Sequence, residues 1–301
     1  MKKTNKIIIT VLSLVFALSI SVSSVFADSY LVENGYSYLK SSDGSSIIYG
    51  YDDTSENVEL PRYLGGNLVS AVADRAFLKN KYLKSISFAK CQGLKKLGAS
   101  SFESCSNLTS VVLPVWINQL STSAFQTCVN LKEVTFYAPL KNIPSYCFYY
   151  CTKLDNVSLP ETLVSIDSFA FAECASLSEV YIPTSVTSIA SNAFRNSPNV
   201  TIKGSYGSYA EEYAKANNIP FNGISAYDVG DVNMDGGINI LDATLVQKYV
   251  VGIVELSAEQ KHLADYNKDG DITVFDATEI QKFIVHLNRS EERRVGKECR
   301  S

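Results

Sequence analysis

Two stretches near the C-terminus concentrate oxygen-bearing side chains at fixed spacing. Residues 231–242 read D-V-N-M-D-G-G-I-N-I-L-D, and residues 265–276 read D-Y-N-K-D-G-D-I-T-V-F-D. In each, oxygen donors stand at positions 1, 3, 5, 9 and 12 of a twelve-residue loop, with glycine at position 6. This is the spacing of a calcium loop, because a hard cation that takes six to eight oxygens must be wrapped by a chain that turns sharply at its middle. Asp231, Asn233, Asp235 and Asp242 supply side-chain oxygens in the first loop, Asn239 directly or through water, and Gly237 its carbonyl. Asp265, Asn267, Asp269 and Asp276 take the same parts in the second, with Thr273 at the ninth position and the Asp271 carbonyl at the seventh. Gly236 and Gly270 permit the turn. Two copies 34 residues apart predict two bound Ca2+ ions.

The elements around the loops narrow the type of calcium module. An EF-hand places a helix before its loop and closes it with glutamate. Here aspartate closes both loops, and a helix is predicted only after each, over 243–251 and 277–287. The two helices begin with nearly the same string, DATLVQKYV and DATEIQKFI. Between them Ser257 and Gln260 have capping-box spacing for a short middle helix. This duplicated loop–helix unit, the F-hand, resembles a type I dockerin over residues 228–288. The resemblance implies calcium-dependent binding to a cohesin module of a cellulosome-like scaffold. It also implies recognition through loop positions 10 and 11, here Ile240-Leu241 and Val274-Phe275, where many dockerins carry hydroxyl residues. The apolar pair is expected to be exposed at the start of the helix, and the alternative places one of each pair, Ile240 and Val274, in the core. Gln247-Lys248 and Gln281-Lys282 would form a polar rim, and the matching halves fit a dual mode in which a half-turn presents either one.

A second periodicity fills the middle of the chain. Phe77, Phe102, Phe125, Phe148, Phe171 and Phe194 recur at spacings of 25 and then 23 residues. Cys105, Cys128, Cys151 and Cys174 follow four of them by three residues. Leucines follow by six, β-branched residues by nine, and Leu or Ile precedes the later ones by five. Units this short cannot bury their own apolar faces, so they must stack and turn each repeated position into a column of one core. The alternating Val-x-Leu pair reads as a short strand, ended by Pro114, Pro160 and Pro183, with Pro139 displaced by two. The Ala-Phe segment reads as a helical or 3-10 turn. The form I-x-x-x-A-F-x-x-C-x-x-L-x-x-V-x-L-P resembles the leucine-rich repeats of bacterial surface proteins over residues 67–202. It implies an α/β solenoid of about 23 residues per repeat, and a β-helix is disfavoured because each unit shows one clear strand. Residues 28–66 are predicted as an N-terminal β cap, 67–204 as the solenoid and 205–225 as a C-terminal helical cap and linker. In that cap Ser208 and Glu211 have capping-box spacing, and Asn217-Asn218 with Pro220 end the helix. The dockerin-like, all-α domain occupies 226–288.

Seven cysteines invite a disulfide framework, but four share one repeat position. Side chains in one column point the same way, whereas a disulfide needs them turned toward each other. They are predicted to be small buried thiols, as is Cys147.

The two ends are read separately. Lys2, Lys3 and Lys6 precede an apolar run, and Val25 and Ala27 mark a cleavage site, so residues 1–27 are predicted as a secretory signal peptide. Residues 289–301 read RSEERRVGKECRS, an arginine-rich break in composition that is excluded from the fold as a non-native tail. The remaining body has a net charge of about −9, with −7 of it in residues 228–288, which disfavours nucleic acid and anionic membrane. Nothing after the signal is long and apolar enough to span a bilayer. The expected function is a secreted, non-catalytic scaffold-associated protein whose repeats bind an unidentified protein or glycan, with Tyr137, Tyr149, Tyr150, Tyr181 and Trp116 as candidates for that surface. The alternative is a dockerin-borne polysaccharide-degrading enzyme, disfavoured because both histidines lie in the dockerin-like segment and the solenoid's carboxylates are scattered.

Overall fold

The computed structural model describes residues 30–298, with side chains as far as His286. The predicted signal segment and the last three residues lie outside the described part. The chain divides into two compact units, one ending at Ile202 and the other starting at Lys203.

The first unit is a parallel β-solenoid of about eight turns. Its longer ladder pairs Asn57–Glu59, Ser85–Ser87, Ser110–Leu113, Glu133–Phe136, Asn156–Ser158 and Glu179–Tyr181 in parallel. The register aligns Val58, Ile86, Val111, Val134, Val157 and Val180, all buried, so the β-branched repeat position is a physical column. Antiparallel strands Leu31–Glu33, Tyr36–Lys40 and Ser46–Tyr51 precede the repeats.

Each turn also carries a second strand, which the sequence reading does not give. Val72, Leu97 and Leu120 align in one short ladder, and Ile143, Ile166 and Ile189 in another. These strands, mostly two residues long, are too short for alternation to be visible in sequence. The break between Leu120 and Ile143 falls in the turn whose proline, Pro139, is displaced by two.

The Ala-Phe segments are not helical. Their alternate N–H groups donate to the next turn: Ser123 to Ser145, Phe125 to Cys147 and Thr127 to Tyr149, at 2.7–3.0 Å. Donors used along the solenoid axis cannot close a helix within their own turn. The six phenylalanines stack with centroids 4.9–5.7 Å apart. Beside them the Sγ–H of Cys105, Cys128, Cys151 and Cys174 donates to the carbonyl of Phe77, Phe102, Phe125 and Phe148 at 3.1–3.2 Å. In the last turn Ser197 Oγ makes the same bond to the Phe171 carbonyl at 2.8 Å. All six described cysteines are free and buried.

The second unit contains α1 (Tyr209–Ala216), α2 (Ile240–Val250), α3 (Ala258–Ala264) and α4 (Val274–Glu298). Helix α1 ends at Asn217, and Asn218 is left-handed, as the asparagine pair predicts. The predicted Ser208 capping box is absent: Glu211 accepts instead from the Gly207 N–H at 2.7 Å, and the buried Ser208 hydroxyl has no partner. This segment packs on α3, with Tyr206 stacked on His262 at 4.5 Å and Ser225 Oγ donating to Glu259 at 2.8 Å. A small core of Val232, Ala243, Val246, Leu256, Leu263, Ala264, Ala277 and Ile280 unites α2, α3 and α4.

Candidate metal centre and docking face

The two twelve-residue loops fold nearly identically, and their own hydrogen bonds explain how. In the first, the Asp235 and Gly236 N–H groups donate to the two oxygens of Asp231 at 3.1 and 2.9 Å. The Asn233 and Asn239 N–H groups donate to the two oxygens of Asp242, both at 2.8 Å. Positions 1, 3, 5, 9 and 12 are thereby drawn to one place. In the second loop Asp269 and Gly270 donate to Asp265 at 3.1 and 3.0 Å, and Asn267 and Thr273 to Asp276 at 3.2 and 2.9 Å. Gly236 and Gly270 have φ of +92° and +91°, and Met234 and Lys268 are left-handed as well. At the seventh position the Gly237 carbonyl accepts from Asn239 Nδ2 at 2.9 Å, while the Asp271 N–H donates to Asp269 at 2.9 Å.

The donor chemistry fits calcium. Asp231, Asp242 and Asp276 are buried, and their described partners are main-chain N–H groups together with the Thr273 hydroxyl, which reaches Asp276 at 3.4 Å. A buried carboxylate without a counter-ion is costly, and a divalent cation ringed by Asp, Asn, Thr and carbonyl oxygens removes that cost.

The loops also start the helices. Asn239 caps α2 by accepting from Leu241 N–H at 2.9 Å, and Asp242 answers to the Asn239 N–H, a complete capping box. Thr273 accepts from Phe275 N–H at 3.1 Å in the equivalent place. Both helices therefore begin at loop position 10, three residues before the predicted start. Ser257 and Gln260 form the capping box expected for α3.

Starting the helix at position 10 turns the apolar pair outward. Ile240, Leu241, Val274 and Phe275 are 55%, 61%, 52% and 71% exposed. Ile240 and Val274 are thus outside the core, which resolves the alternative left open by sequence. Gln247, Lys248 and Lys282 are exposed and Gln281 is half-buried. The halves differ at the rim: Lys282 pairs with Glu279 at 2.7 Å, whereas Leu245 holds the place of Glu279 beside Lys248. Val251 and Val285, eleven residues beyond Ile240 and Val274, are also exposed and extend the face. The recurrence of valine at this point in both halves is the signal that sequence reasoning passed over. Helix α4 runs on through residues 289–298, beyond its predicted end.

Comparison with known proteins agrees with this division. Residues 70–201 match the model of the BspA type leucine rich repeat region in six copies, and residues 229–285 match that of the dockerin type I domain. The chain joins a BspA-type leucine-rich repeat region to a type I dockerin. A leucine-rich repeat protein of T. pallidum is 24% identical over 65% of this chain and all of its own, with a TM-score of 0.55, which supports the solenoid fold. A leucine-rich cell surface protein from Faecalibacterium prausnitzii and a leucine-rich repeat protein from Eubacterium ventriosum are 23% and 26% identical, with TM-scores of 0.45 and 0.46. The similarity covers 59% and 56% of this chain and 55% and 49% of theirs, about half their length. No curated protein matches the chain. Both modules are non-catalytic types, and type I dockerins bind calcium.

Of the five aromatics singled out in the solenoid, ring contacts unite only two. Tyr149 and Tyr150 lie in the turn segment, together with Tyr146 and Phe169. Tyr181 lies in a strand of the longer ladder, and Tyr137 and Trp116 in the connections that follow two others.

Proposed function

We propose that the chain is a secreted adaptor. Its dockerin holds two Ca2+ ions and docks on a cohesin module of a cellulosome-like scaffold, while its repeats bind a separate protein or glycan. The observation that carries the docking half is the outward apolar pair at the start of both α2 and α4. Four large apolar side chains more than half exposed on so small a domain mark a contact surface rather than a core. Ile240-Leu241 and Val274-Phe275 are the anchors, with Gln247, Lys248, Gln281 and Lys282 at the rim. Calcium acts indirectly, by fixing the loops that cap the helices and so aim the anchors.

Calorimetric titration of the chain from Asp28 against type I cohesins, with calcium and then with EDTA, tests this reading. Binding that needs calcium and is lost in the Leu241→Asp, Phe275→Asp double variant supports it. A protein that holds calcium but binds no cohesin removes the scaffold role. Secretion is tested by whether the exported chain begins at Asp28.

A further inference from the structure

Five solenoid turns hold a left-handed residue two positions before the core phenylalanine, and six hold one two positions after it. At the first, φ is between +54° and +62° in Arg75, Ser100, Ser123, Tyr146 and Phe169. At the second, it is between +57° and +62° in Lys79, Ser104, Thr127, Tyr150, Glu173 and Asn196. The hydrogen bonds that run along the axis require this conformation. It is unfavourable for L-residues, and a bulky side chain there is an outlier, whereas small polar ones are tolerated best.

Elsewhere these positions are all polar. The three aromatic exceptions, Tyr146, Tyr150 and Phe169, fall in two adjacent turns and are joined by Tyr149. Tyr146 stacks on Phe169 with centroids 5.0 Å apart, Tyr149 meets Tyr146 edge-on at 5.5 Å, and Tyr150 lies 6.2 Å from Tyr149. The core does not account for them, since its column in these turns is already filled by the fully buried Phe148 and Phe171. Tyr146 and Tyr150 are exposed, and Tyr149 and Phe169 half-buried. None of the three tyrosine hydroxyls has a hydrogen-bond partner among the described residues. The cluster contains no charged side chain, and Glu173, in the same turn as Phe169, accepts from Asn196 Nδ2 at 2.6 Å.

We propose that this cluster is a binding platform for a neutral glycan chain. A pyranose ring presents a face of C–H bonds edged by hydroxyls. Half-exposed aromatic rings take the C–H face, and unpartnered phenols take the hydroxyls. The absence of a cation disfavours an acidic polymer. A proline-rich peptide, which also docks on aromatic surfaces, is the competing occupant that the test must separate. The proposal names the ligand class for the repeats within the adaptor reading and does not depend on cohesin.

The test is affinity electrophoresis and calorimetry of the chain from Asp28 with xyloglucan, mixed-linkage β-glucan and galactomannan. Polygalacturonate and a proline-rich peptide serve as competing classes. The variant carries Tyr146→Ser, Tyr150→Thr and Phe169→Ser, which installs what Ser123 and Thr127 already are in the preceding turn. It should therefore fold, with an unchanged or higher melting temperature. At least one neutral polysaccharide is expected to bind the parent chain, and the variant to lose at least about tenfold in affinity while its cohesin titration is unaltered. Equal binding by the variant, no neutral polysaccharide bound, or binding of only the acidic polymer or the peptide would each overturn the proposal. Failure of cohesin binding with the glycan result intact would remove the scaffold role alone.

Discussion

At the scale of single residues, the chemistry of the dockerin rests on the carboxylates that end its loops. Asp242 accepts from the Asn233 and Asn239 N–H groups, forms half of the α2 capping box and is the proposed twelfth-position calcium donor. Asp242→Ala should lower the calcium stoichiometry from two to one by calorimetry and destabilise α2 by about 1 kcal/mol through the lost cap. The loop residues proposed to bind calcium were picked out by residue type and interval, and the structure gathers them in two matching loops. Exposure was not legible in the sequence. Whether Ile240 and Val274 face inward depends on where the helix begins, and that is set by the Asn239 and Thr273 caps. The cysteines were legible as buried filler, but their second role was not. Ser197 Oγ bonds the Phe171 carbonyl just as each Cys Sγ bonds its own, so the position serves a carbonyl that must be satisfied. Cys128→Ser should accordingly cost less stability than Cys128→Ala in urea unfolding, with the difference about 1 kcal/mol.

At the scale of elements, the phenylalanine period gave the stack and the β-branched column, because each repeat contributes one residue to each. The second ladder was hidden by its brevity, since a strand such as Gln119–Leu120 leaves no alternation to read. The turn, expected to be helical or 3-10, keeps i→i−3 bonds only at alternate residues such as Gln126 and Cys128, because the donors between them are spent on the next turn, a tertiary fact. The stack itself makes a sharp prediction. Phe125 is fully buried between Phe102 and Phe148, so Phe125→Ala should cost about 3–5 kcal/mol. Because neighbouring turns support one another, the loss should appear as cooperative unfolding of the solenoid while calcium binding persists.

At the scale of the whole molecule, the thiol column ties stability to pH. Burial pushes Cys91 to about 11 and Cys105 and Cys174 to about 12, and raises Cys128, Cys147 and Cys151 as well. A raised thiol pKa means that the folded chain keeps its proton where the unfolded chain loses it. The contribution is complete below the unfolded value of about 8.5 and is lost as pH rises toward 12, by about 1.4 kcal/mol per thiol and pH unit. Melting temperature should fall steeply above pH 9, and less steeply in variants with serine in the column. Acidic charge, by contrast, is gathered in residues 228–288, where calcium can offset it. The docking role proposed for the dockerin is that its calcium-fixed loops aim an apolar face at a scaffold cohesin. Its most direct test is calorimetric titration of the chain from Asp28 against type I cohesins, with calcium and with EDTA. Tight binding in calcium, none in EDTA, and loss of binding in the Leu241→Asp, Phe275→Asp variant at undiminished calcium stoichiometry are expected. Binding that survives EDTA, or that survives both substitutions, would contradict it.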